Sequence, residues 1–598
     1  MFYNPLDKFY KSTTGAVREG EKTVFRAKSD TGVCSLAMRR DGEADYVYYP
    51  MFCDGAVFKA EIKLSKGLYF YHFELGNGNK IWCGEDFTGV KTCCPSDFQL
   101  TVYDKNFSVP TWLNGGIIYQ IFPDRFYKRG GFRVKEEGKV YHENASDTPC
   151  YLPDKNGKIL NNDFFGGNID GIIEKLYYLK KLGVSAVYLN PIFKAYSNHR
   201  YDIGDYYEID PLLGSFEDFE KLIIESEKKG IKIILDGVFN HVGDDSLYFN
   251  KYGKYDSVGA YQSKKSPYYQ WFCFDEYPDK YKSWWGITTL PTTDKESDYA
   301  DFIAGDNGVV DFYAKKGVGG FRLDVVDELP DKFVAKIRKT LKNNNPEAMV
   351  IGEVWEDASN KISYDVRRKY FVDGELDSVM NYPLKNAILN YVCNGNSKDI
   401  SLTVKTLIDH YPKCVTDNLM NILSTHDTVR VLSAVSGIDT RGMSKSAQSE
   451  LSITEQAYPE AVARLKSAVV LQYMLPGVPS VYYGDEAGME GFGDPFNRRF
   501  YPWGKENKDI LSFYIKLGEI RKKYSAFKKG EYEEIYSENG GFVFKRFDEN
   551  SEVLICVNVS DSVKLIKYNG TLKSELYNNV YKDVVELKPF TADIFTVK

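Results

Sequence analysis

The sequence predicts a multidomain α/β protein in which a closed parallel (β/α)8 barrel lies between two β domains. Strand-like and helix-like runs alternate through the middle of the chain, and eight strand candidates can be counted there. Both ends of the chain instead carry short strands of alternating polarity divided by turn residues. At 598 residues the chain is also long enough for several domains.

The composition is that of an ordinary globular protein. Hydrophobic residues make up 43% and charged residues 27% of the chain, which suits a large core and argues against disorder. The net charge of -7 gives no electrostatic reason to expect nucleic acid or an anionic membrane as a partner. The ten cysteines show no CxxC or Cys/His ligand spacing, and Cys93 and Cys94 are the adjacent pair. We therefore expect neither a zinc site nor a disulfide framework.

Two observations bear on the location of the protein. The first residues, MFYNPLDKFYKS, lack a basic segment followed by an apolar run, and no run of 18 apolar residues occurs. Together with cysteines that form no disulfide framework, these observations predict a cytoplasmic protein without a membrane anchor.

Residues 1–112 are predicted to form an N-terminal β-sandwich that serves as an accessory domain. Its strand candidates alternate in polarity and are separated by Gly, Asn and Asp. They lie at residues 47–53, 56–64, 67–75, 80–83 and 98–104.

Residues 113–524 are predicted to form the barrel, because buried-looking strands alternate there with amphipathic helices. The strand candidates are residues 116–122, 186–193, 232–241, 320–326, 349–355, 378–384, 418–425 and 480–486. The first helix is expected to start after Asn168 and end at Gly183, and the second to open with a capping box of Ser215 and Asp218.

Two stretches interrupt or follow this alternation. An aromatic-rich segment, residues 242–300, separates the third strand from the fourth and is predicted to be an insertion domain. After the helix at 510–524, residues 525–598 return to short strands and are predicted to form a C-terminal antiparallel β domain, a small β-sandwich.

Polar residues follow the predicted barrel strands at their carboxyl ends, where catalytic groups lie in a barrel of this kind. They are Asp236, Asn240 and His241 on the third strand, Arg322 and Asp324 on the fourth, Glu353 on the fifth, and His426 with Asp427 after the seventh. Three carboxylates on three strands, Asp324, Glu353 and Asp427, should therefore converge on one mouth.

The pair Arg322 and Asp324 lies in GFRLDVVDE, residues 320–328. Strand residues two positions apart point to the same face of the sheet. Burying two charged side chains costs free energy unless they form an ion pair with good geometry or serve a function. Taken alone, the pair has a structural alternative, an ion pair at a strand end. Asp236 could likewise satisfy backbone donors, and His426 with Asp427 could be a satisfied core pair.

Carboxylates, an arginine and histidines without a phosphate-binding loop suit glycosidic bond cleavage through an oxocarbenium-like transition state. We expect Arg322 to hold Asp324 ionised for attack on the anomeric carbon. Glu353 lies beside Trp355, an apolar setting that favours the neutral carboxyl group of a general acid. A retaining mechanism would separate the two carboxyl groups by roughly 5 to 5.5 Å.

Four ordered motifs resemble the signature regions of the α-amylase family of glycoside hydrolases. They are DGVFNH (236–241), GFRLDVVDE (320–328), GEVW (352–355) and STHDTVR (424–430). The sandwich followed by PTWLNGGIIYQIFPDRF is similar to the branch of neopullulanases, cyclomaltodextrinases and maltogenic amylases. The resemblance implies a TIM barrel, a carbohydrate-binding-module-like N-terminal domain and α-1,4-glucan hydrolysis, possible also at α-1,6 bonds.

The resemblance also implies a role for each matched residue. Asp324 would be the nucleophile, Glu353 the general acid/base, and Asp427 the third carboxylate, which binds sugar hydroxyls. The implied substrate-binding residues are Tyr201, Asp236, Asn240, His241, Arg322, Trp355, His426, Asp494 and Arg498. For Trp355 and Arg498, ordinary packing or a surface ion pair is the structural alternative.

Departures from the family pattern concern metal and substrate preference. The loop after PDRF reads YKRGGFRVKEE, without the Asn/Asp ladder that binds calcium in relatives, and GGN at 166–168 replaces their GGD. Calcium needs six or more oxygen ligands, so no metal and no other cofactor is predicted. LPTTD (290–294) lacks the Lys and Asn of the neopullulanase form, and VVDE stands where that branch often reads VANE.

Relatives with this N-terminal domain often dimerise, so a homodimer is an expectation. Two alternative functions stay open from the sequence. One is an exo-acting α-glucosidase or oligo-1,6-glucosidase, and the other is a non-catalytic glucan-binding or transporter-associated protein.

Overall fold

The structure is a computed structural model that describes residues 2–29, 34–90 and 96–597. Cys93 and Cys94 lie outside these residues. Eight parallel strands form the central barrel, which an N-terminal pair of sheets and a C-terminal sheet flank. The predicted fold class is therefore confirmed. Within the described residues, no helix combines the length and the apolar character that a bilayer-spanning helix requires.

The N-terminal part consists of two β-sheets around one buried core that includes Phe25, Leu36, Tyr71 and Leu100. The larger sheet contains Val17–Arg18, Cys34–Arg40, Val47–Pro50, Gly67–Leu75, Lys80–Cys83, Gly89–Val90 and Phe98–Tyr103. The smaller sheet contains Lys22–Lys28, Phe52–Asp54 and Val57–Lys63.

The strand predicted at 47–53 is divided between these two sheets. Val47–Pro50 pairs with Cys34–Arg40, whereas Phe52–Asp54 pairs with Val57–Lys63 in the other sheet. Met51 between them is buried, so the chain crosses from one layer to the other at this residue. A continuous alternating pattern does not reveal such a crossing, because each half alternates correctly within its own sheet.

The barrel strands are shorter than their sequence patterns. In chain order they are Ile118–Ile121, Ala186–Leu189, Lys232–Gly237, Gly320–Leu323, Met349–Gly352, Ser378–Val379, Met420–Ile422 and Val478–Tyr482. Neighbouring strands pair in parallel around the ring, with the first strand also paired to the eighth. The sixth and seventh strands meet through an isolated parallel bridge between Met380 and Met420, which closes the barrel.

Helices cover the outside of the ring, and several of them begin at side-chain caps. The longer helices are Ile169–Leu182, Phe216–Lys228, Asp331–Asn344, Tyr382–Asn394, Ser397–His410, Tyr458–Met474 and Lys508–Lys523. Shorter helices are Tyr299–Ala304, Val309–Lys315, Lys413–Thr416, Val431–Ala434, Lys445–Ser449 and Ala526–Lys529. The predicted capping box is confirmed, because the Ser215 and Asp218 side chains each accept a bond from the other's backbone N–H.

The strand predicted at 378–384 is wrong in its second half, since only Ser378–Val379 is extended. The Asn381 side chain accepts a bond from the Leu384 N–H, and Pro383 lies in the first turn of the helix that begins at Tyr382. An Asn cap followed by proline is a helix start, and these two local preferences outweigh the apolar run.

Four excursions rise from the carboxyl side of the barrel strands. The first follows the first strand and contains Val140–Tyr141 paired with Asp163–Phe164. The second is the hairpin of Phe193–Ala195 and Ile203–Ile209. The third is the aromatic-rich insertion after the third strand, with the hairpin Phe274–Glu276 and Lys280–Tyr281. The fourth is the hairpin of Ile362–Ser363 and Val366–Arg367.

The C-terminal strands form one hydrogen-bonded antiparallel sheet of six strands. They are Glu531–Tyr536, Gly541–Phe547, Glu552–Asn558, Lys564–Ser574, Val580–Leu587 and Thr591–Val597. Inward residues on one face, such as Phe544 and Ile555, join the barrel core. On the other face, Leu554 packs with Leu572 and Val585 of the last hairpin in a second small core. This sheet therefore has two apolar faces, which explains why the sequence resembled a sandwich.

Candidate active site

Two of the three predicted carboxylates directly follow a barrel strand. Asp324 comes after Leu323, and its N–H donates to the Gly237 carbonyl at 3.2 Å. Glu353 comes after Gly352, and its N–H donates to the Leu323 carbonyl at 3.1 Å. The ladder bonds thus continue past the strand ends and fix the backbone of both residues at the barrel mouth.

The buried guanidinium of Arg322 joins three carboxylates. Its Nη1 donates to Oδ1 of Asp236 at 2.8 Å and to Oδ1 of Asp324 at 2.9 Å. Its Nη2 lies 3.0 Å from Oε2 of Glu353, an ion-pair distance. Breaking a buried pair leaves an uncompensated charge, so Arg322 is needed to keep these carboxylates together. The Arg322–Asp324 pair is therefore part of a larger cluster and not an isolated ion pair at a strand end.

The pKa of Asp324 is shifted in the direction opposite to the one that the sequence led us to expect. Burial raises the pKa of Asp324 well above its ordinary value, and the carboxylates of Glu353 and Asp236 act in the same direction. Arg322 opposes these effects, as expected, but does not outweigh them in the substrate-free site. A positive charge developing on a sugar ring would lower this pKa and favour the ionised nucleophile.

Glu353 accepts hydrogen bonds on both carboxyl oxygens. Trp355 Nε1 donates to Oε1 at 3.0 Å, and the Val325 N–H donates to Oε2 at 2.8 Å. Trp355 is therefore a hydrogen-bond donor to Glu353 as well as an apolar neighbour. Val325 has φ 39°, a left-handed conformation that is unusual for a β-branched residue. This strained backbone directs the Val325 N–H towards Glu353.

Trp355 offers a flat surface at the mouth. Its ring stacks on Tyr382, with 3.9 Å between the ring centroids and 15° between the planes, and 45% of the residue is exposed. A rigid exposed aromatic face of this kind suits an apolar sugar face.

Asp427 is the most open of the three carboxylates, with 34% of its side chain exposed. Its Oδ2 lies 3.0 Å from His426 Nε2, and its Oδ1 lies 3.3 Å from Arg498 Nη2. Arg498 also donates from Nε to the His426 carbonyl at 2.9 Å and pairs with Asp494 at 3.0 Å. The structure thus brings Asp427, His426, Asp494 and Arg498 together on one side of the mouth.

A chain of polar contacts links His426 to the Arg322 cluster. The Tyr201 hydroxyl donates to Asp236 Oδ2 at 2.8 Å and lies 2.6 Å from His426 Nε2. The two rings stack with 8° between their planes. Gln120 Nε2 contacts His426 Nδ1 at 2.9 Å, which assigns the ring proton to Nε2. Burial lowers the pKa of His426 well below its ordinary value, so the ring is neutral.

His241 lies at a second wall of the mouth. It is buried, neither ring nitrogen makes a well-formed hydrogen bond although the Tyr201 backbone is near, and the ring stacks on Trp284 with 5.1 Å between centroids. Burial lowers the pKa of His241 to about 3, so this ring is also neutral. Buried ring nitrogens without well-formed bonds are available to bond a ligand.

Asn240 precedes His241 and is held by two charged residues. Its Nδ2 donates to Glu328 Oε2 at 2.8 Å, and Lys295 Nζ donates to its Oδ1 at 2.6 Å. The same Glu328 accepts bonds on Oε1 from Trp284 Nε1 at 3.0 Å and Trp285 Nε1 at 2.9 Å. Asn240 therefore positions the insertion against the fourth strand and does not contact the Arg322 cluster.

Several residues of the site were missed at the sequence level. Lys295, Trp284 and Trp285 come from the insertion, whose fold brings them to the mouth. Lys295 directly follows LPTTD, so a scan extended by one residue would have found it. The other missed residues are Gln120, Tyr188 and Asn190, which are polar residues within buried apolar runs. A polar residue in such a run is a signal of a functional site that the sequence does carry.

Comparison with known proteins places these observations in a family. The family described as alpha amylase, catalytic domain, matches residues 120–518. The chain is 36% identical to an amylopullulanase of Thermoanaerobacter thermohydrosulfuricus over 95% of its own length, but spans 42% of that protein. It is 33% identical to a cyclomaltodextrinase of Thermoanaerobacter pseudethanolicus, covering 77% of this chain and 73% of that protein.

Among solved structures, the type III pullulan hydrolase of Thermococcus kodakarensis has the same overall fold. The TM-score is 0.71 at 26% identity, and the match covers 100% of both chains. The chain spans 33% to 48% of the amylopullulanases it matches, so those proteins are at least about twice as long.

Proposed function

This chain belongs to the alpha-amylase family, and from that premise we propose that it is a retaining glycoside hydrolase. Its substrates are malto-oligosaccharides, cyclodextrins or pullulan, in which it cleaves α-1,4-glucosidic bonds, with α-1,6 bonds as further candidates. The observation that carries the proposal is the single guanidinium of Arg322, which contacts Asp236, Asp324 and Glu353 at the barrel mouth. The names of the amylopullulanase, cyclomaltodextrinase and pullulan hydrolase relatives support it.

The reaction proceeds by double displacement. Asp324 attacks the anomeric carbon while Glu353 gives its proton to the departing glycosidic oxygen, which forms a covalent glycosyl ester on Asp324. Water then attacks the same carbon, Glu353 takes the water proton, and the Asp324 carboxylate leaves. Both displacements invert the carbon, so the product keeps the substrate's α-configuration.

The other residues bind and orient the sugar. His241 and His426 are neutral and act as hydrogen-bonding groups for ring hydroxyls, and Asp427 accepts bonds from hydroxyls of the same sugar. Tyr201 and Trp355 supply aromatic faces on opposite sides of the cleavage point. Arg498 and Asp494 lie beside Asp427, where Arg498 also donates to the His426 carbonyl and holds that backbone in place.

Product analysis tests the proposal. Purified protein is incubated with maltotriose, maltohexaose, β-cyclodextrin and pullulan, and the products are followed by chromatography and by NMR of the anomeric protons. We expect opened cyclodextrin, short oligosaccharides and an initial excess of the α-anomer. An initial β-anomer would exclude retention, glucose as the sole early product would indicate an exo-acting α-glucosidase, and no turnover would indicate a binding protein.

We also propose that the chain forms a homodimer through its N-terminal domain. Large apolar residues are exposed on two consecutive strands there, namely Val47, Tyr48 and Phe52, the last at 77%. The ion pair of Arg367 with Asp41 brings this domain next to the hairpin at the barrel mouth. Sedimentation should give about twice the 68.3 kDa of one chain, and Phe52→Asp should favour the monomer. A wild-type monomer would contradict the proposal.

We infer that the loop after the first barrel strand binds no calcium. The Asn168 side-chain oxygen caps the first helix, and Arg133 pairs with Asp170 at 2.8 Å and with Asp218 at 2.5 Å. These oxygens are thereby occupied, whereas calcium needs at least about six oxygen ligands. Calorimetry of the desalted protein should give the same melting temperature with and without added Ca²⁺, and a rise with Ca²⁺ would contradict the inference.

A cytoplasmic location is the last part of this proposal. The eight cysteines in the described residues are all unpaired, which suits a reducing compartment. Cell fractionation tests it, and recovery of the protein outside the cytoplasm would contradict it.

A further inference from the structure

We propose that His142, Cys150 and Asp163 form a zinc-type metal site in the excursion after the first barrel strand. The ligand atoms of these three residues lie within 4.8 Å of one another. His142 Nε2 and Asp163 Oδ2 are 3.2 Å apart. None of the three belongs to the substrate-binding mouth described above, so the site is separate from the proposed catalytic groups.

The combination of nitrogen, sulfur and oxygen ligands suits zinc. Zn²⁺ accepts imidazole, thiolate and carboxylate ligands at about 2.0 to 2.3 Å in a tetrahedral arrangement. That geometry separates neighbouring ligand atoms by roughly 3.3 to 3.8 Å, and the observed cluster needs only a small shift to reach it. A thiolate and an imidazole disfavour calcium and magnesium, which prefer oxygen ligands.

The outer contacts of these residues are those that orient metal ligands. Asp147 Oδ2 lies 3.2 Å from His142 Nδ1, so a carboxylate holds the ring nitrogen that faces away from the metal. Asn198 Nδ2 donates to Asp163 Oδ1 at 2.8 Å, and the Cys150 N–H donates to Oδ2 at 3.1 Å, so both oxygens are held in place with Oδ2 directed at His142 and Cys150. The His142 ring also stacks on Phe165, with 4.2 Å between the centroids.

Local charges permit a divalent cation. Arg125 Nη2 lies 3.3 Å from Asp163 Oδ2, but Arg125 Nε donates to Asp124 Oδ2 at 2.7 Å, so a second carboxylate offsets its charge. On binding, the Cys150 thiol releases its proton to water, and His142 binds through Nε2 as the neutral ring. The thiolate and the Asp163 carboxylate then balance the two positive charges. Cys150 is exposed, which gives the ion a path in and leaves room for water as the fourth ligand.

This site differs from the sequence expectation that no zinc site is present. The three ligands are widely spaced in sequence and match no short Cys/His motif. The fold brings them together because Val140–Tyr141 pairs with Asp163–Phe164. A metal here would restrain the segment around Asn198, which leads to Tyr201 in the substrate-binding mouth.

Metal analysis of the full chain tests the proposal without using activity. Untagged protein is dialysed and its zinc measured by mass spectrometry, and Co²⁺ binding is followed by its visible and thiolate charge-transfer absorption. We expect one zinc per chain, a thiolate band, and a higher melting temperature with metal. Asp147→Asn should weaken zinc binding by about 10- to 100-fold, because it removes the carboxylate that holds His142.

Two variants decide whether these residues are the ligands. Cys150→Ser should abolish the thiolate band and stoichiometric zinc, while Cys273→Ser, an exposed cysteine of the insertion, should retain both. Since Cys150 is exposed, its variant is expected to fold, and circular dichroism checks this. The proposal is overturned if wild-type protein retains no zinc and gains no thiolate band, or if Cys150→Ser binds metal like wild type. Hydrolase activity bears on neither outcome.

Discussion

Nη1 of Arg322 lies 2.9 Å from Oδ1 of Asp324, and both side chains are buried at the mouth of the barrel. The same guanidinium contacts Asp236 and Glu353. One cation therefore sets the positions of the proposed nucleophile and the proposed general acid. The carboxylates in turn offset the free-energy cost of burying the guanidinium.

Replacing the proposed nucleophile should abolish turnover. Asp324→Asn keeps the shape of the side chain but cannot form the glycosyl ester, so kcat on maltotriose should fall by at least about 1,000-fold. Binding of β-cyclodextrin, measured by calorimetry, should persist. Asp439→Asn, an exposed residue paired with Arg441, serves as the control and should keep wild-type kcat. Comparable activity in Asp324→Asn would rule out its role.

Replacing the proposed general acid should affect substrates unequally. Glu353→Gln cannot protonate a leaving oxygen, so kcat/KM on maltotriose should fall by about 100-fold or more. Maltosyl fluoride, whose leaving group needs no proton, should lose much less in the first displacement. The measurement is the rate on maltosyl fluoride divided by the rate on maltotriose, determined for the wild type and for the variant. An equal loss on both substrates would indicate a positioning role for Glu353 instead.

Trp285 should contribute to binding of longer substrates and not to bond cleavage. The residue is 77% exposed, yet its Nε1 donates to Glu328 at 2.9 Å and its ring stacks on Trp284, so the indole is held in place beside the mouth. Trp285→Ala should raise KM for maltohexaose by about 5- to 30-fold through loss of stacking, with kcat nearly unchanged. Tyr177→Ala, at an exposed position on the first barrel helix, should leave both constants unchanged. A fall in kcat alone would contradict this.

Lys295 should make stability depend on pH above neutrality. Burial lowers the pKa of Lys295 to about 7, against the pull of Glu328 and Asp294. In the unfolded chain a lysine has a pKa of about 10.4. Between the folded and the unfolded pKa, the unfolded state therefore binds one more proton than the folded state. Stability contributed by this group is therefore lowest below pH 7 and rises up to about pH 10.

The measurement is urea unfolding of wild type and Lys295→Met at several pH values from 6 to about 10. The free energy of unfolding of wild type, minus that of the variant, should grow with pH. Lys282→Met removes an exposed lysine and should give a constant difference. A constant difference for Lys295→Met would show that the lysine is not titrating in this range.

Most of the fold could be predicted from interactions between residues that are close in sequence. The capping box at Ser215 and the alternation of strands and helices depend on nearby residues, so the sequence predicted both correctly. The pairing of Arg322 with Asp324 was equally local, because two strand residues two positions apart share a face. Strand lengths were overestimated, since apolar runs continue past the last ladder bond into the loops.

Contacts made by the excursions could not be predicted in this way. Trp285 reaches Glu328 only because the insertion folds back over the fourth strand, and its backbone takes φ 49° to do so. Lys295 bonds Asn240 across the same fold. His142, Cys150 and Asp163 meet through a two-residue sheet pairing. Each depends on distant segments meeting, which periodicity and spacing do not encode.

The bridge between Met380 and Met420 closes the ring between the sixth and seventh strands. Glu353 follows the fifth strand and Asp427 follows the seventh, so this bridge lies between the two carboxyl groups along the ring. A ring that frays at this bridge would keep its helices while Glu353 and Asp427 lose their alignment. Heat inactivation should therefore begin at a lower temperature than the loss of helical circular dichroism.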